Sequence, residues 1–292
     1  MRIQAITRNN GFGLSKDITV LQEALAGHVV EFTDWQRPRN KGHWDWNFHL
    51  ELVNPTQLRT ATVNAFVPNP EWFDPKWMSH LKSFDIVLAK TRDCERIFKD
   101  LHHNVVYTGW TSPDPGYTVD YTQTAFVHVA GKSIMKGTQQ LIEAMRLVDV
   151  SLDLVVDRKT NTPANVRQHI LPNNEALAAL KRSPIHVQPS TYEGFGHVLN
   201  EARAMGAITI TTDARPMCEV SEAKYTILCP VSHDRIKGLA MESVPDIASL
   251  ADCIIVAAGF IALHGPKLGA LARAAYERDR TAFHERINSL VK

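Results

Sequence analysis

Short apolar runs of strand character alternate with segments of helical periodicity along the chain. In the first part, the pattern predicts strands at residues 2–7, 29–33, 46–50, 62–67, 85–89 and 104–107, and helices at residues 15–25, 76–83 and 91–101. Strands that alternate with helices are typical of a parallel sheet with helices packed on its faces. The sequence therefore predicts an α/β domain in the first part of the chain.

A polar stretch rich in proline and glycine, residues 109–120, interrupts this alternation and is predicted to be a linker. A second alternation begins at residue 124. It predicts strands at residues 125–129, 152–156, 185–187 and 208–211, and helices at residues 137–147, 174–180, 198–205, 245–258 and 266–291. The chain is therefore expected to contain a second parallel sheet.

Composition is that of an ordinary globular protein. The 292 residues are enough for two domains, and 44% of them are hydrophobic while 22% are charged. A formal net charge of +1 excludes a strong overall attraction to nucleic acid or membranes, although a local basic patch could still bind them. The four cysteines show no paired spacing, which is typical of reduced thiols and indicates no zinc site. We therefore expect a cytoplasmic protein.

Neither a leader nor a membrane span is predicted. The chain opens on a strand-like run rather than on a signal peptide. Its most apolar late segment, residues 254–263, is shorter than a membrane span. We therefore expect no membrane insertion, and the sequence indicates no particular oligomeric state.

The most informative segment is residues 187–201, in which a Gly-Phe-Gly turn lies between a strand and a helix. Glu193 precedes the turn and Glu201 follows it eight residues later. Such a turn presents backbone N–H groups at the positive end of a helix, which suits a phosphate. Carboxylates accept hydrogen bonds from the hydroxyl groups of a sugar or a ribose. The segment therefore predicts a site for a nucleotide sugar, and the alternative is a structural turn with two surface glutamates.

The order strand, Pro-Ser, Glu, Gly-Phe-Gly, helix, Glu, Met-Gly, strand resembles the nucleotide-sugar motif of the retaining GT-B glycosyltransferases, the family 4-like enzymes of group 1. The resemblance implies an α/β fold of the GT-B class, with two Rossmann-like domains facing across a cleft and a C-terminal helix that returns to the N-terminal domain. We expect an acceptor-side domain at residues 1–118, a nucleotide-sugar-binding domain at residues 119–275, and the returning helix at residues 276–292.

The resemblance also implies donor contacts in the second half. Lys132 and Lys136 lie where the family has an arginine and a lysine that reach the donor diphosphate, with either Lys132 or Ser133 in the arginine's place. Glu193 would face the sugar hydroxyls and Glu201 the ribose hydroxyls. Further donor contacts are expected at Ile170, Ser190, Gly194, Phe195, Gly196, His197 and Val198. Without the resemblance, two lysines near a helix start are ordinary solvated charge.

The first half carries fewer family features. Gly11 and Gly13 follow the first strand, where the family's glycines approach the donor phosphate, and Ser15 is expected to cap the next helix. Asn69 and Glu71 follow a later strand, where many relatives have a histidine that touches the transferred sugar. We count both as candidate catalytic residues, and the alternative is that Pro-Asn-Pro simply breaks the chain.

The remaining candidates lie on the acceptor side. His49 and Lys90 lie at or after strand ends, where ligands collect in open α/β sheets. Residues 35–46 interleave basic residues, among them Arg37, Arg39 and Lys41, with tryptophans that include Trp44. Basic residues engage phosphates, and aromatic rings stack on bases or sugars, but tryptophans also simply pack in a core. A DNA base with an exposed hydroxyl, flipped out of the duplex, is therefore one candidate acceptor.

We expect a hexosyltransferase that moves a sugar, by family precedent from UDP-glucose, to an acceptor hydroxyl with retention at the anomeric carbon. The implied mechanism is a front-face displacement in which the departing diphosphate oxygen takes the acceptor proton, while the two lysines and the turn amides neutralise its charge. We expect no metal and no cofactor besides the nucleotide sugar. Three alternatives remain: a saccharide or small-molecule acceptor, a nucleotide-sugar epimerase, and a non-catalytic module that binds nucleotide sugar or nucleic acid.

Overall fold

The computed structural model describes residues 1–37, 42–123 and 125–292. The chain divides into two compact units. The first unit comprises residues 1–113, 236–240 and 278–292, and the second comprises residues 114–235 and 241–277.

The first unit is built on a six-stranded parallel sheet. Its strands are β1 (Arg2–Thr7), β2 (Val29–Asp34), β3 (Trp44–Leu50), β4 (Ala61–Val67), β5 (Ile86–Ala89) and β6 (Val105–Tyr107). They pair in the order β2-β1-β3-β4-β5-β6, and every pairing is parallel. The helices α1 (Gly13–Ala24) and α2 (Arg92–Lys99) connect β1 to β2 and β5 to β6. The predicted alternation of strands and helices is therefore observed in this unit.

Three short 3-10 helices complete the first unit, at Pro55–Arg59, Pro70–Trp72 and Pro75–Ser83. The last of them covers the segment predicted as an α-helix at residues 76–83. Each begins at a proline, whose fixed φ angle and missing N–H suit the first position of a helix.

Two of the three tryptophans of the predicted basic loop, Trp44 and Trp46, lie in β3 rather than in a loop. Trp44 and Trp46 are buried, with 1% and 8% of their surface exposed, and Trp46 stacks on Phe48 at 5.6 Å between ring centroids. Arg2 lies over the Trp44 ring at 4.5 Å. The structure therefore corrects the assignment of Trp44 to an acceptor surface, because its ring faces belong to the core of the first unit.

The second unit has its own six-stranded parallel sheet. Its strands are β7 (Phe126–Gly131), β8 (Leu152–Val156), β9 (Val166–Ile170), β10 (Ile185–Gln188), β11 (Ile208–Thr212) and β12 (Thr226–Cys229), in the order β12-β11-β10-β7-β8-β9. The helices α3 (Thr138–Met145), α4 (Asn174–Lys181), α5 (His197–Ala204) and α6 (Met217–Val220) connect them. β9 was not predicted, because Val-Arg-Gln-His-Ile is largely polar and the strand lies at the edge of the sheet, where one face and one edge can remain polar.

A pair of short strands follows β12. β13 (Val231–Lys237) and β14 (Ala240–Pro245) form a two-stranded sheet joined at Gly238, and residues 236–240 at its tip are grouped with the first unit. A Cβ atom at Gly238 would lie 2.8 Å from the Pro70 carbonyl oxygen, and the Leu239 N–H donates to that oxygen at 3.0 Å. The tip therefore packs so closely on Pro70 that only glycine fits.

One continuous helix, α7 (Ile247–Leu290), replaces the two helices predicted on either side of Pro266. Gly265 and Gly269 lie one turn apart and both face Tyr121; a Cβ atom at Gly265 would come within 2.5 Å of its ring, and one at Gly269 would overlap its hydroxyl. The Tyr121 hydroxyl in turn donates to the Gly206 carbonyl at the end of α5. We attribute the continuity of α7 to this close packing, which offsets the cost of an internal proline.

The first part of α7 is apolar on both its inner and outer sides. Its inner side packs on the second sheet through Leu250, Ala251, Ile254, Ala257 and Ile261. Its outer side exposes more than half of the surface of Ile255, Val256 and Leu263. By length and composition alone the helix could cross a membrane, a test that core helices also pass. This corrects the expectation that the late apolar segment is too short for such a span.

Candidate functional site

Two loops meet at the carboxyl edge of the second sheet. One follows β7 and the other follows β10, its neighbour in the sheet. The Thr191 N–H donates to the Met135 carbonyl at 2.8 Å, which joins the loops. Gly137 has a φ angle of 65° and lies against Pro189, where a Cβ atom would overlap the Pro189 carbonyl oxygen. Only glycine therefore allows the start of α3 to approach the β10 loop this closely.

Lys136, Ser190 and Glu193 converge where these loops meet. The Lys136 ammonium lies 2.5 Å from Glu193 Oε1, and the Ser190 hydroxyl donates to the same oxygen at 2.6 Å. Both members of the ion pair are largely buried, with 16% and 10% of their side chains exposed. The fold thus brings three predicted donor-site residues into direct contact, although Lys136 and Glu193 are 57 positions apart in the chain.

The Gly-Phe-Gly turn starts α5 as predicted. Gly196 is the N-cap residue with a φ angle of 91°, and no side chain of the described residues caps this helix end. Phe195 is buried and its ring meets the His197 ring edge-on at 5.3 Å, while Gly194 is buried and Val198 half-buried. A helix N-terminus of this kind carries a partial positive charge and suits an anion.

Glu201 lies in the second turn of α5 and is buried. Its Oε2 atom lies 2.7 Å from the ammonium of Lys181, the last residue of α4. The Lys181 carbonyl oxygen is 3.0 Å from Nε2 of His186, whose pKa burial lowers to about 4. The sequence did not indicate Lys181 as a partner, since nothing in its spacing from Glu201 predicts the contact.

Other predicted donor residues of the second unit lie on exposed segments. Lys132 and Ser133 are exposed, and the Ser133 hydroxyl accepts from the Met135 N–H at 3.3 Å. Ile170 ends β9 with half of its surface exposed, so it offers an apolar contact at the carboxyl edge of the sheet. Their contacts with a donor stay predictions.

In the first unit, residues 9–15 form a compact polar turn after β1. The Gly11 N–H donates to the Ser15 hydroxyl at 2.7 Å, and that hydroxyl donates to Asn9 at 2.6 Å. Helix α1 begins at Gly13 and its N-cap is Phe12, without a side-chain cap. The prediction that Ser15 caps the helix is therefore wrong, because Ser15 lies inside the first turn and closes the preceding loop instead.

Asn69 and Lys90 lie together, with Lys90 Nζ donating to Asn69 Oδ1 at 3.2 Å. The Lys90 ammonium also forms a buried ion pair with Asp17 at 2.6 Å, and Asp17 accepts from the indole N–H of Trp110 at 2.6 Å. Asp17 and Trp110 were not among the predicted site residues, because they lie 93 positions apart in segments without a motif.

The remaining first-unit candidates differ in accessibility. Glu71 is buried, and His49 is fully buried at the end of β3, with its ring edge-on to Phe84 at 5.1 Å. Burial lowers the pKa of His49 to about 3, so the ring is neutral near pH 7. Arg37 is exposed. The predictions for Arg39 and Lys41 fall outside the described residues.

The described part of the chain contains no group of three or more histidine, cysteine, aspartate or glutamate side chains arranged to hold a metal ion. The positive charge near Glu193 comes from Lys136 and from the start of α5. Metal independence itself stays a prediction.

Residues 117–242 match the family described as "Glycosyl transferases group 1", which confirms the resemblance drawn from the motif. No curated protein matches the chain by sequence. Among solved structures, the chain is similar to a sucrose-phosphate synthase from Thermosynechococcus elongatus, with 14% identity and a TM-score of 0.78 over 100% of this chain and 98% of that chain.

Two further solved structures have the same fold. HepE from Anabaena, solved in complex with UDP-glucose, is 13% identical with a TM-score of 0.71 over 100% of both chains. A glycosyltransferase from Rickettsia africae is 11% identical with a TM-score of 0.69 over 99% of this chain and 96% of that chain. These likenesses confirm the predicted GT-B fold.

Proposed function

We propose that this chain, whose residues 117–242 match the group 1 glycosyl transferases, moves a sugar from a nucleotide-sugar donor to an acceptor hydroxyl. The observation that carries the proposal is the convergence of Lys136, Ser190 and Glu193 beside the start of α5, which no side chain of the described residues caps. A cation and a helix end suit the donor diphosphate, and the carboxylate suits the hydroxyls of the transferred sugar.

The buried Glu201 supports a ribose subsite in the same unit. Its carboxylate pairs with Lys181, and carboxylate oxygens accept hydrogen bonds from hydroxyl groups such as those of a ribose. UDP-glucose is the donor that we test first, because HepE was solved with that compound and shares the fold.

The chemistry follows from the charges beside the motif. As the bond between the anomeric carbon and the diphosphate breaks, negative charge grows on the leaving oxygen. Lys136 and the amides at the start of α5 stabilise that charge more strongly in the transition state than in the bound donor. By the resemblance to the retaining enzymes of group 1, the acceptor hydroxyl attacks from the face that the diphosphate leaves. The leaving oxygen then takes the proton of the attacking hydroxyl, so the sugar is transferred with retention and no side-chain nucleophile is needed.

Positive charge from Lys136 and α5 also leads us to propose that no metal ion takes part. Turnover measured in EDTA tests this, with a chelator-treated and buffer-exchanged sample as the control. Complete loss of turnover in EDTA that manganese or magnesium restores would contradict metal independence without touching the transfer itself.

The proposal as a whole is tested by incubating the chain with UDP-glucose and a panel of acceptors, and by measuring UDP release and product mass. The panel includes neutral sugars, phosphosugars and DNA that contains hydroxymethylated bases. A glucosylated acceptor whose new linkage is α by NMR is the expected product. A rearranged sugar nucleotide would indicate an epimerase instead, and donor binding without any reaction would indicate a binding module.

A further inference from the structure

A chain of hydrogen bonds leads from the core of the first unit to Glu51 at the carboxyl edge of its sheet. Trp110 donates to Asp17, which pairs with Lys90, and Lys90 donates to the Asn69 carbonyl oxygen at 3.2 Å. The amide nitrogen of Asn69 then donates to Glu51 Oε2 at 2.7 Å. Each link has only one sensible direction, since Lys90 can only donate and an ionised Glu51 can only accept.

Asn69 is held in one orientation by this network. It is the N-cap residue of the 3-10 helix Pro70–Trp72, but its side chain makes no capping bond there. The amide is used instead to join Lys90 to Glu51. The network therefore fixes the position of the Glu51 carboxylate rather than the start of the helix.

The backbone of Glu51 is strained. Its φ angle is 64°, in the left-handed region that residues with a side chain rarely enter. The Leu52 N–H donates to the Leu50 carbonyl at 2.7 Å, so Glu51 is the central residue of a tight three-residue turn directly after β3. Turns of this kind are rare, and non-glycine residues in this region concentrate at ligand sites. A glycine would adopt the same turn without strain.

The Glu51 carboxylate also has unused acceptor capacity. Among the described residues, it accepts hydrogen bonds from Asn69 at 2.7 Å and from Arg8 at 3.4 Å, and the Arg8 side chain is more than half exposed. An ionised carboxylate can accept about four hydrogen bonds. Burial raises the pKa of Glu51, while the Asn69 hydrogen bond and the charge of Lys90 oppose that rise.

The charges around Glu51 select the kind of ligand. Asp17 adds a second carboxylate to that of Glu51, and the cations of Lys90 and Arg8 balance these two charges. Lys90 is already paired with Asp17 at 2.6 Å. A phosphate would therefore find these two cations already balanced and would be repelled by the Glu51 carboxylate, whereas a neutral hydroxyl group would find a hydrogen-bond acceptor held in place.

We infer that Glu51 is the acceptor-binding residue of the first unit, positioned by Asn69 and Lys90, and that the acceptor is a neutral polyhydroxyl compound such as an unphosphorylated sugar. This inference rests on the proposed function and adds to it the class of the acceptor. It places the group that recognises the acceptor two residues after His49, whose buried and neutral ring is a core residue.

Three variants separate a binding role from a structural one. Glu51→Gln removes the negative charge and keeps nearly the same side-chain shape. Glu51→Gly removes the side chain and relieves the backbone strain at this position. The matched control is Glu285→Gln, which removes an exposed carboxylate of the same unit. We expect Glu51→Gln and Glu51→Gly to raise the KM for a neutral sugar acceptor at least about tenfold, as for a lost hydrogen bond to a charged group. Glu51→Gly should keep or raise the thermal midpoint, and UDP affinity by calorimetry should stay unchanged in both.

The results of these experiments distinguish a failure of the inference from a failure of the proposed function. An unchanged acceptor KM in Glu51→Gln, or a wild-type preference for phosphosugars or DNA, overturns the inference and leaves the transferase intact. Lower thermal midpoints in both Glu51 variants with an unchanged KM also overturn it, since the role is then structural. If wild type transfers sugar to nothing, the proposed function fails, and saturation-transfer NMR with neutral sugars decides the inference. The inference is supported if wild type binds a neutral sugar and Glu51→Gln does not. It is overturned if wild type binds none of the neutral sugars.

Discussion

Lys136 and Glu193 form an ion pair of 2.5 Å although 57 positions separate them in the chain. The two groups are the ones proposed to contact opposite ends of the donor, the diphosphate and the sugar. In the absence of donor they neutralise each other in a largely buried place, which avoids leaving either charge without a counter-charge. When the donor binds, we therefore expect Lys136 to leave Glu193 and to pair with the donor diphosphate instead.

Replacing Lys136 by alanine should lower turnover about a hundredfold, as when one preorganised charge-stabilising group is lost. The exposed Lys159→Ala is the matched control in the same unit. Turnover is measured by UDP release at saturating donor. A Lys136→Ala turnover within about threefold of wild type, less than one kcal/mol of barrier, would count against the role.

Glu201→Ala should weaken UDP binding by about 1.5–3 kcal/mol, the range for hydrogen bonds to a charged group. Calorimetry with UDP and with 2′,3′-dideoxy-UDP isolates the ribose contact. Wild type should prefer UDP, and the variant should bind both compounds alike. Lys181→Ala controls for the broken ion pair, since it leaves the carboxylate in place. Equal affinity of wild type for the two nucleotides refutes the ribose assignment.

Gly137→Ala should destabilise the chain by more than Gly116→Ala, although the two glycines have φ angles of 65° and 76°. Backbone strain costs both variants about 1–2 kcal/mol. Only Gly137 lies against the Pro189 carbonyl, and this overlap adds about 1–3 kcal/mol; no atom lies within 4 Å of a Cβ atom at Gly116. Urea denaturation gives the two free energies of unfolding, and equal values would show that the loops are not tightly joined there.

Acid should destabilise the chain through buried histidines before most carboxylates titrate. Burial lowers the pKa of His128 and of His186 from 6.5 to about 4, so between these values the unfolded chain binds protons that the folded chain does not. The free energy of unfolding therefore falls as the pH drops below 6.5, on the order of 1 kcal/mol per histidine by pH 5.5.

Urea denaturation between pH 7 and 5 measures this loss. His186→Gln should flatten the pH dependence, whereas His103→Gln, at an exposed position, should not change it. A wild-type midpoint that is the same at pH 7 and pH 5 would contradict the expectation.

The parts of the fold that the sequence predicted are those whose signals are local. Around Glu193, consecutive residues indicate a strand, a Gly-Phe-Gly turn and a helix in that order. The structure confirms this order, since α5 begins directly after the turn. The edge strand β9 was missed because most of its residues are polar. The continuity of α7 through Pro266 was missed because it depends on packing against Tyr121, far away in the chain.

The same distinction holds for the candidate sites. Lys136 and Glu193 were named from their motifs, but their direct contact was not predicted. Lys181, Asp17 and Trp110 have no motif, and only the folded chain brings them to Glu201 and Lys90. The left-handed backbone of Glu51 is likewise invisible in a sequence, because nothing in Leu-Glu-Leu indicates such a turn.

The packing of Tyr121 limits where a folded fragment of the second unit can begin. Its ring fills the space left by Gly265 and Gly269, and its hydroxyl donates to the Gly206 carbonyl at the end of α5. A shortened polypeptide intended for the isolated second half must therefore start upstream of Tyr121, for example at Asp114. One that starts at Ala125 would leave a ring-sized void beside two glycines of α7, and we expect it to be recovered as aggregated material rather than as a folded fragment.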